Sequence, residues 1–478
     1  IIKKICYTTV PHMRYHSSQY HTRNSNKLVH DHFAIVAMKR TSTVLALFQM
    51  LLLVQMASAD VTSTDIATST DPASPELLEK TWTVSAASLD KLEIHVAGNV
   101  FVDHDTSLQS DAQVVAKVVM RASSSKLLDA VDVTDIGGDS DTGVRLHYKN
   151  QQVHVEGLVM TQVLLSKPKS LLAVSATNTQ NVVLGDNVVL GDKTARLHFS
   201  THGKGHIFVG STTASFDVRS VGVVVSGDGG IQFQSASLKV AEDVVLSLVG
   251  AGHVAVLAED KFVANKVESA VAGTGKVFVQ TPGLQADTLV TEIVENGEVS
   301  YATEGTCNSE KIRLAGEGSV NAASIVCKNA DVSILGIGEV VVQATERLSA
   351  TLLLTGSVRY VNTRPKSIQS SGLVLESSIK QAQANPIAKY SPLTPPNRAA
   401  TAVFLTVEAA NNDDSPYIHV RPAVATGMRL QNLSASLPES MSALVLFEVA
   451  IGAMAFVAVS VFKFQQRRIR NKYQTLLP

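Results

Sequence analysis

A Gly-x-Gly element recurs through the middle of the chain, at Gly203/Gly205, Gly227/Gly229, Gly250/Gly252, Gly273/Gly275, Gly316/Gly318 and Gly336/Gly338, with single-glycine versions at Gly297 and Gly356. The last glycines of these units fall at 205, 229, 252, 275, 297, 318, 338 and 356, so the repeat shortens steadily from 24 residues to 18. After each unit the second and fourth residues are apolar or small: Ile207 and Val209, Ile231 and Phe233, Val254 and Val256, Val277 and Val279, and so on to Val358 and Tyr360. The residue between them varies without restriction: Phe208, Gln232, Ala255, Phe278, Ser300, Asn321, Val341, Arg359. This is a period-2 strand with one fixed inner face and one free outer face. Glycine ahead of it permits positive φ and a tight corner. A second short strand precedes several corners, at 216–218, 238–240, 312–314 and 332–334.

A unit of about 20 residues cannot bury its apolar face alone, so the units must stack and share one core. Helical repeats need longer units and a 3.6-residue period, which is absent. The pattern therefore predicts an all-β chain, a right-handed β-solenoid over 85–365, with a β-sandwich of regularly spaced hairpins as the alternative. Only Pro168 and Pro282 lie between residues 76 and 364, as continuous strand pairing requires. Cys307 and Cys327 each fall 11 residues before the glycine of their unit, at 318 and 338. They share a phase on consecutive coils, where stacking brings Cα atoms to ~4.8 Å, within reach of a disulfide. Residues 86–200 are β-rich but less regular, and either cap the solenoid or open it. Their Val-Val-Leu-Gly-Asp at 182–186 is repeated at 188–192.

The two ends read as addresses. Residues 1–37 look like an upstream extension. Its His12, His16, His21, His30 and His32 show no regular metal-ligand spacing. From Met38, a basic pair, an apolar core at 44–54 and Ala57-Ser58-Ala59 form a signal peptide over 38–59, with cleavage expected between Ala59 and Asp60. Residues 366–441 carry seven of the 14 prolines and read as a semi-extended stalk. Asn432-Leu433-Ser434 within it is a glycosylation sequon. Residues 442–462 form an apolar membrane span, broken by Glu448 and followed by a basic tail over 463–478. The positive-inside rule places that tail in the cytoplasm, giving a single-pass type I topology at the plasma membrane or an endomembrane. Tyr473-Gln474-Thr475-Leu476 has the form of a tyrosine-based sorting signal, with a clathrin adaptor as the implied partner.

The opening Leu89-Asp90-Lys91-Leu92-Glu93-Ile94-His95-Val96-Ala97-Gly98, the repeated glycine corners, and the close at Leu354-Thr355-Gly356-Ser357-Val358-Arg359-Tyr360 resemble the auto-transporter adhesin, head GIN domain family over about residues 85–365. The resemblance implies a β-solenoid-like fold and an adhesive role, and it brings no catalytic residues. A membrane anchor with a sorting tail departs from that family's usual setting.

The glycine units are not dinucleotide loops, since no helix follows them and the third glycine is missing. A formal net charge of −1 gives no global field for nucleic acid. β-Helix carbohydrate enzymes need clustered carboxylates beside basic groups. Here Asp217, Asp228 and Asp331 are scattered, and Lys204, His206, His253 and Lys276 show no acid at matching phase. The acidic stretch 135–142 reads as a solvated turn rather than a calcium loop. The sequence thus predicts a membrane-anchored, adhesin-like protein without catalysis, cofactor or metal, which binds an unknown protein or glycan. The alternatives are an endomembrane sorting receptor and, last, a carbohydrate-active enzyme.

Overall fold

The computed structural model describes residues 59–136, 142–372, 378–382, 387–408 and 417–422. Among them the chain is almost wholly strand, with one short α-helix, Ser125–Asp129, capped by the Ser124 side chain. The expected extension, signal core, sequon, membrane span and tail lie outside the described residues. Among the described residues no helix is long and apolar enough to cross a membrane.

From residue 196 onward parallel strands stack coil upon coil, as the repeat predicted. Each full coil holds three strand segments. In the continuous run Gly230–Gly250 these are 230–235, 237–240 and 243–250, each in its own ladder with His253–Gly273. Two segments per coil had been expected. The segments 216–218 and 238–240 form the middle ladder, whereas 312–314 and 332–334 lie in the last one, so the four belong to different faces. The inner positions Ile207, Val209, Ile231, Phe233, Val254, Val256, Val277 and Val279 are buried.

The glycine corner is where successive coils come closest. Gly227, Gly250, Gly273, Gly316 and Gly336 stay in register from coil to coil, and all have positive φ. The second glycine of each unit is needed for a different reason. A Cβ at Gly252 would lie 2.1 Å from the Gly229 carbonyl oxygen, so that position is kept bare by the coil beneath it. Only the first glycine carries the turn. In the single-glycine unit ending at Gly297 that first position is Glu295, held at φ 79°. The shrinking repeat is absorbed elsewhere. Register shifts between Leu257 and Phe262, Thr281 and Leu284, Ser300 and Gly305, and Asn321 and Val326 fall between the first and middle segments, and others, between Val240 and Asp243 and between Cys327 and Asn329, follow the middle segment.

Cys307 and Cys327 are register partners in the middle ladder, with Cα atoms 4.4 Å apart, and are joined by a disulfide. One inward row runs Val244, Val267, Leu289, Glu310, Ala330, Leu348. Glu310 is buried among these apolar neighbours, and neither carboxyl oxygen has a hydrogen-bond partner. Burial pushes its pKa up to about 8.

The upstream region both opens and caps the solenoid. Strands Lys91–Ile94 and Asn99–His104 pair in parallel with Ala173–Thr177 and Asn181–Leu184 on one side, and with Gly143–Tyr148 and Val153–Leu165 on the other. The first coil therefore lies between two later ones. Val153–Leu165 also pairs antiparallel with Val114–Ala122, which pairs with Leu78–Ser85, then Asp60–Ser63. This antiparallel cap covers an edge that the stack would otherwise leave open to pairing. Asp60, the expected first mature residue, opens its outermost strand.

The segment expected to be a stalk departs from that reading. Ser367–Gly372 and Ile379–Gln381 continue the ladders. Thr401–Glu408 pairs antiparallel with Val153–Val159 at the opposite end of the stack, and Tyr417–Pro422 adds to it. Proline clustering signalled an extended chain correctly, but that chain lies on the domain.

Two changes test this account. Glu295→Gly should stabilise the protein by roughly 0.5–1 kcal/mol by removing a side chain from the left-handed region, while Gly250→Ala should destabilise it by more than ~2 kcal/mol. Urea unfolding of both variants measures this. For Glu310, a raised folded pKa means the folded chain holds its proton more tightly than the unfolded one. Stability is then highest below the ordinary carboxyl pKa and falls as pH rises towards about 8. Glu310→Met should stabilise on the order of 2 kcal/mol near pH 9 and distinctly less near pH 5. An equal gain at both pH values would refute the buried-carboxyl account.

Candidate functional site

The outward side of the ladder after the glycine corner is not free. Residues 387–400 run along it as a strap, from late coils to early ones. Ser300 donates to the Ala388 carbonyl at 2.9 Å, and the Tyr390 amide donates to Gln280 Oε1 at 3.2 Å. Gln232 grips Leu393 from both sides, accepting from its amide at 2.8 Å and donating to its carbonyl at 3.2 Å. Arg398 pairs with Asp103 at 2.6 Å and lies over the Phe101 ring. Phe208, Gln232, Ala255, Phe278 and Ser300, expected to face outward, are all buried. Ala255, Leu257 and Phe278 form a small apolar cluster outside the main core, closed by Tyr390.

His206 and His253 meet under this strap. They are two coils apart, with Gly230 between them in register. The His253 ring folds over Gly230, where a Cβ would lie 2.4 Å from it. It thereby comes within 5.3 Å of the His206 ring, centroid to centroid. The Tyr390 hydroxyl hydrogen-bonds His253 Nε2 at 3.2 Å. Burial, then repulsion by His206, pushes the His253 pKa down to about 4. Burial also lowers His206. These two rings are therefore neutral packing groups at neutral pH.

Two of the other polar residues singled out in the sequence, Lys276 and Asp217, occupy charge ladders. Lys276 does have an acid in phase, pairing with Glu298 on the next coil at 2.8 Å. Asp217 lies between Lys239 at 3.3 Å and Lys193 at 4.0 Å. Such exposed pairs contribute little to stability. Among the described residues no group of three or more His, Cys, Asp or Glu could hold a metal. Most of the acidic 135–142 stretch lies outside them. A cleft of about 380 Å3 opens where the early coils are irregular, lined by Lys169, Asp186, Asn187, Thr213, Ser215 and Phe216. Its lining is mostly polar.

The ladder before the glycine corner is an uncovered face. At its early end, strands Val131–Asp135, Gly143–Tyr148, Lys91–Ile94, Ala173–Thr177 and Arg196–Gly203 lie side by side. Their outward residues include Asp132, Thr134, Arg145, His147, Lys91, Glu93, Ser175, Thr177, His198, Ser200 and His202. His95 follows directly on its strand. Arg145 and Lys91 both bond Glu93, at 2.7 Å each. His147 Nε2 contacts the Thr134 hydroxyl at 3.2 Å, and Ser200 donates to Ser175 at 3.0 Å. Sequence reasoning missed this face because its rows come from strands that stack out of chain order.

The β-solenoid thus has one outer face sealed by its own chain and another left open and polar. Residues 263–363 match the family described as "Putative auto-transporter adhesin, head GIN domain", so the resemblance read in the sequence holds over that stretch. No curated protein matches the chain. Similar solved structures include a "putative adhesin" from Parabacteroides merdae, 11% identical, covering 64% of this chain and 96% of its own, with a TM-score of 0.35. A "putative adhesin" from Parabacteroides distasonis is 15% identical, covers 68% and 97%, and has a TM-score of 0.33. A "Putative lipid binding protein" from the same species is 14% identical, covers 68% and 97%, and has a TM-score of 0.30.

The strap's attachment is testable. A histidine whose folded pKa lies below its ordinary value loses stabilisation as pH falls, from about 6.5 down towards about 4 for His253. Hydrogen exchange of residues 387–400, corrected for intrinsic rates, should quicken across that interval. Tyr390→Ala should exchange rapidly at every pH. Slow exchange in that variant would mean that Tyr390 does not fasten the strap.

Proposed function

We propose that this is a non-enzymatic, adhesin-like protein that enters the secretory route, is held by a single span at 442–462, and presents its solenoid to a protein or glycan ligand. The family match over 263–363 carries this reading. The open polar face supports the presentation of a binding surface. The anchor, the cleavage between Ala59 and Asp60, and the cytoplasmic tail rest on sequence pattern, and a clathrin adaptor reading Tyr473 and Leu476 belongs to the same proposal.

The experiment is surface labelling of cells expressing a luminally tagged full-length chain, with protease protection of the C-terminus, followed by glycan-array binding. We expect a protected C-terminus, array binding, and accumulation of Tyr473→Ala at the surface. A freely soluble product would overturn the anchor. Turnover of a polysaccharide would overturn the non-enzymatic reading.

A further inference from the structure

The early part of the uncovered face carries an unusual charge arrangement. Its permanent charges nearly balance, with Lys91, Arg145 and Arg196 against Glu93 and Asp132, and Arg196 is itself paired with Glu242 of a later coil. Four imidazoles lie among them. Ile94 is in register with Leu146 and with Ala176, and Ala176 with Thr201, so the next residues, His147, His95, Thr177 and His202, form one row across the coils. His198 lies four residues before His202 on the same outward side, in register with Ala173 and through it with Lys91. Rows of this kind are ~4.8 Å apart from strand to strand, so the imidazoles share one flat surface rather than a pocket. Serine and threonine hydroxyls fill the spaces between them.

We propose that this face is a docking surface for an acidic polysaccharide, engaged when the surroundings are acidified and released near neutrality. The proposal rests on the binding role given above and names its ligand class. Charge complementarity is the argument. The permanent charges of the face nearly balance, so each imidazolium formed on this surface would add positive charge that no further acid on the face offsets.

The surroundings of each ring decide how the charge develops. His95 faces Glu93, which favours its cation, and Arg145, His147 and His202, which oppose it; burial is the largest influence and lowers its pKa. His198 is lowered by burial and then by Lys91. His147 faces Thr134 and is in register with Asp132, whose strand flanks it. Glu93 is drawn below the usual carboxylate range by its bonds and charges with Lys91 and Arg145, despite burial. It stays ionised and remains tied to those two cations. Both lowered histidines place the change below the ordinary imidazole range, under about pH 6.5. A carboxylated or sulfated glycan fits better than nucleic acid, because this surface offers hydroxyls and imidazoles but no large aromatic ring for a base to stack on.

The test is binding of purified full-length protein to immobilised heparin at about pH 5 and about pH 7.4, at constant ionic strength of about 0.15 M. We expect at least ~10-fold tighter binding at the lower pH, weakening with added salt. His95→Gln/His198→Gln/His202→Gln should lose most of that gain. His198→Gln/His202→Gln, which alters only exposed side chains, should lose part of it and guards against misfolding of the triple variant. His104→Gln/His154→Gln, outside this face, should keep it. Equal affinity at the two pH values would overturn the proposal, as would an unchanged response in the triple variant. So would single-stranded DNA competing as well as heparin. Binding of neutral glycans at about pH 7.4 without any pH step would sink the switch while leaving the adhesin-like reading standing.

Discussion

Everything in this fold depends on how closely one peptide backbone can approach the next at the glycine corner. With the Gly229 carbonyl oxygen 2.1 Å from where a Gly252 Cβ would sit, two coils can stack at ladder distance only if that carbon is missing. The first glycine of each unit supplies the turn as well as a close approach, and the second supplies proximity without the turn. Once the corner is fixed, the three ladders follow from strand alternation, and the inner rows of Val, Ile, Leu and Phe exclude water along the stack. Coil length is then free to vary wherever the backbone is less crowded. That freedom is used chiefly between the first and middle segments, with further shifts after the middle one, while the corner holds its register.

The inner side of the first strand was legible in the sequence almost residue by residue, because Ile207, Val209 and their successors follow a strict period of two. So was the pairing of Cys307 with Cys327, whose common phase follows from the spacing of the units. The outer side was not legible. Phe208, Ala255 and Phe278 hinted that something must cover it, but the cover comes from residues 387–400, and a local pattern contains no term for a partner more than a hundred residues away. The order of the early coils was hidden likewise. Residues 91–104 pair with both 143–165 and 173–184, and only the second of these neighbours is reached in simple succession.

Glu310 shows another limit of period-2 reading. Its position is inward by phase, yet its chemistry is outward, and the phase wins because the backbone there is fixed by ladders on both sides. The same logic governs His253. Its ring is turned over Gly230 and under Tyr390, so a residue that looked like an exposed polar position packs as a neutral aromatic group. Burial acts on His95 and His198 of the open face too, but among the described residues no strap residue hydrogen-bonds them as Tyr390 does His253. The match to the adhesin head family over 263–363 lies in the regular coils, whereas the open histidine face is built mostly by the irregular ones before them.

The return of the strap also determines how the molecule would carry load. Because Thr401–Glu408 and Asp60–Ser63 are strands of one connected antiparallel cap, both ends of the described chain leave from the same end of the stack. A pull transmitted through Pro422 enters Tyr417–Pro422 and then Thr401–Glu408, where rows of cross-strand hydrogen bonds share it. The coils of 230–352 lie off that line of tension. A ligand gripped on the early coils would sit a few strands from the point of attachment, so the shortest mechanical path between the two runs through the cap and spares the long ladder beyond it.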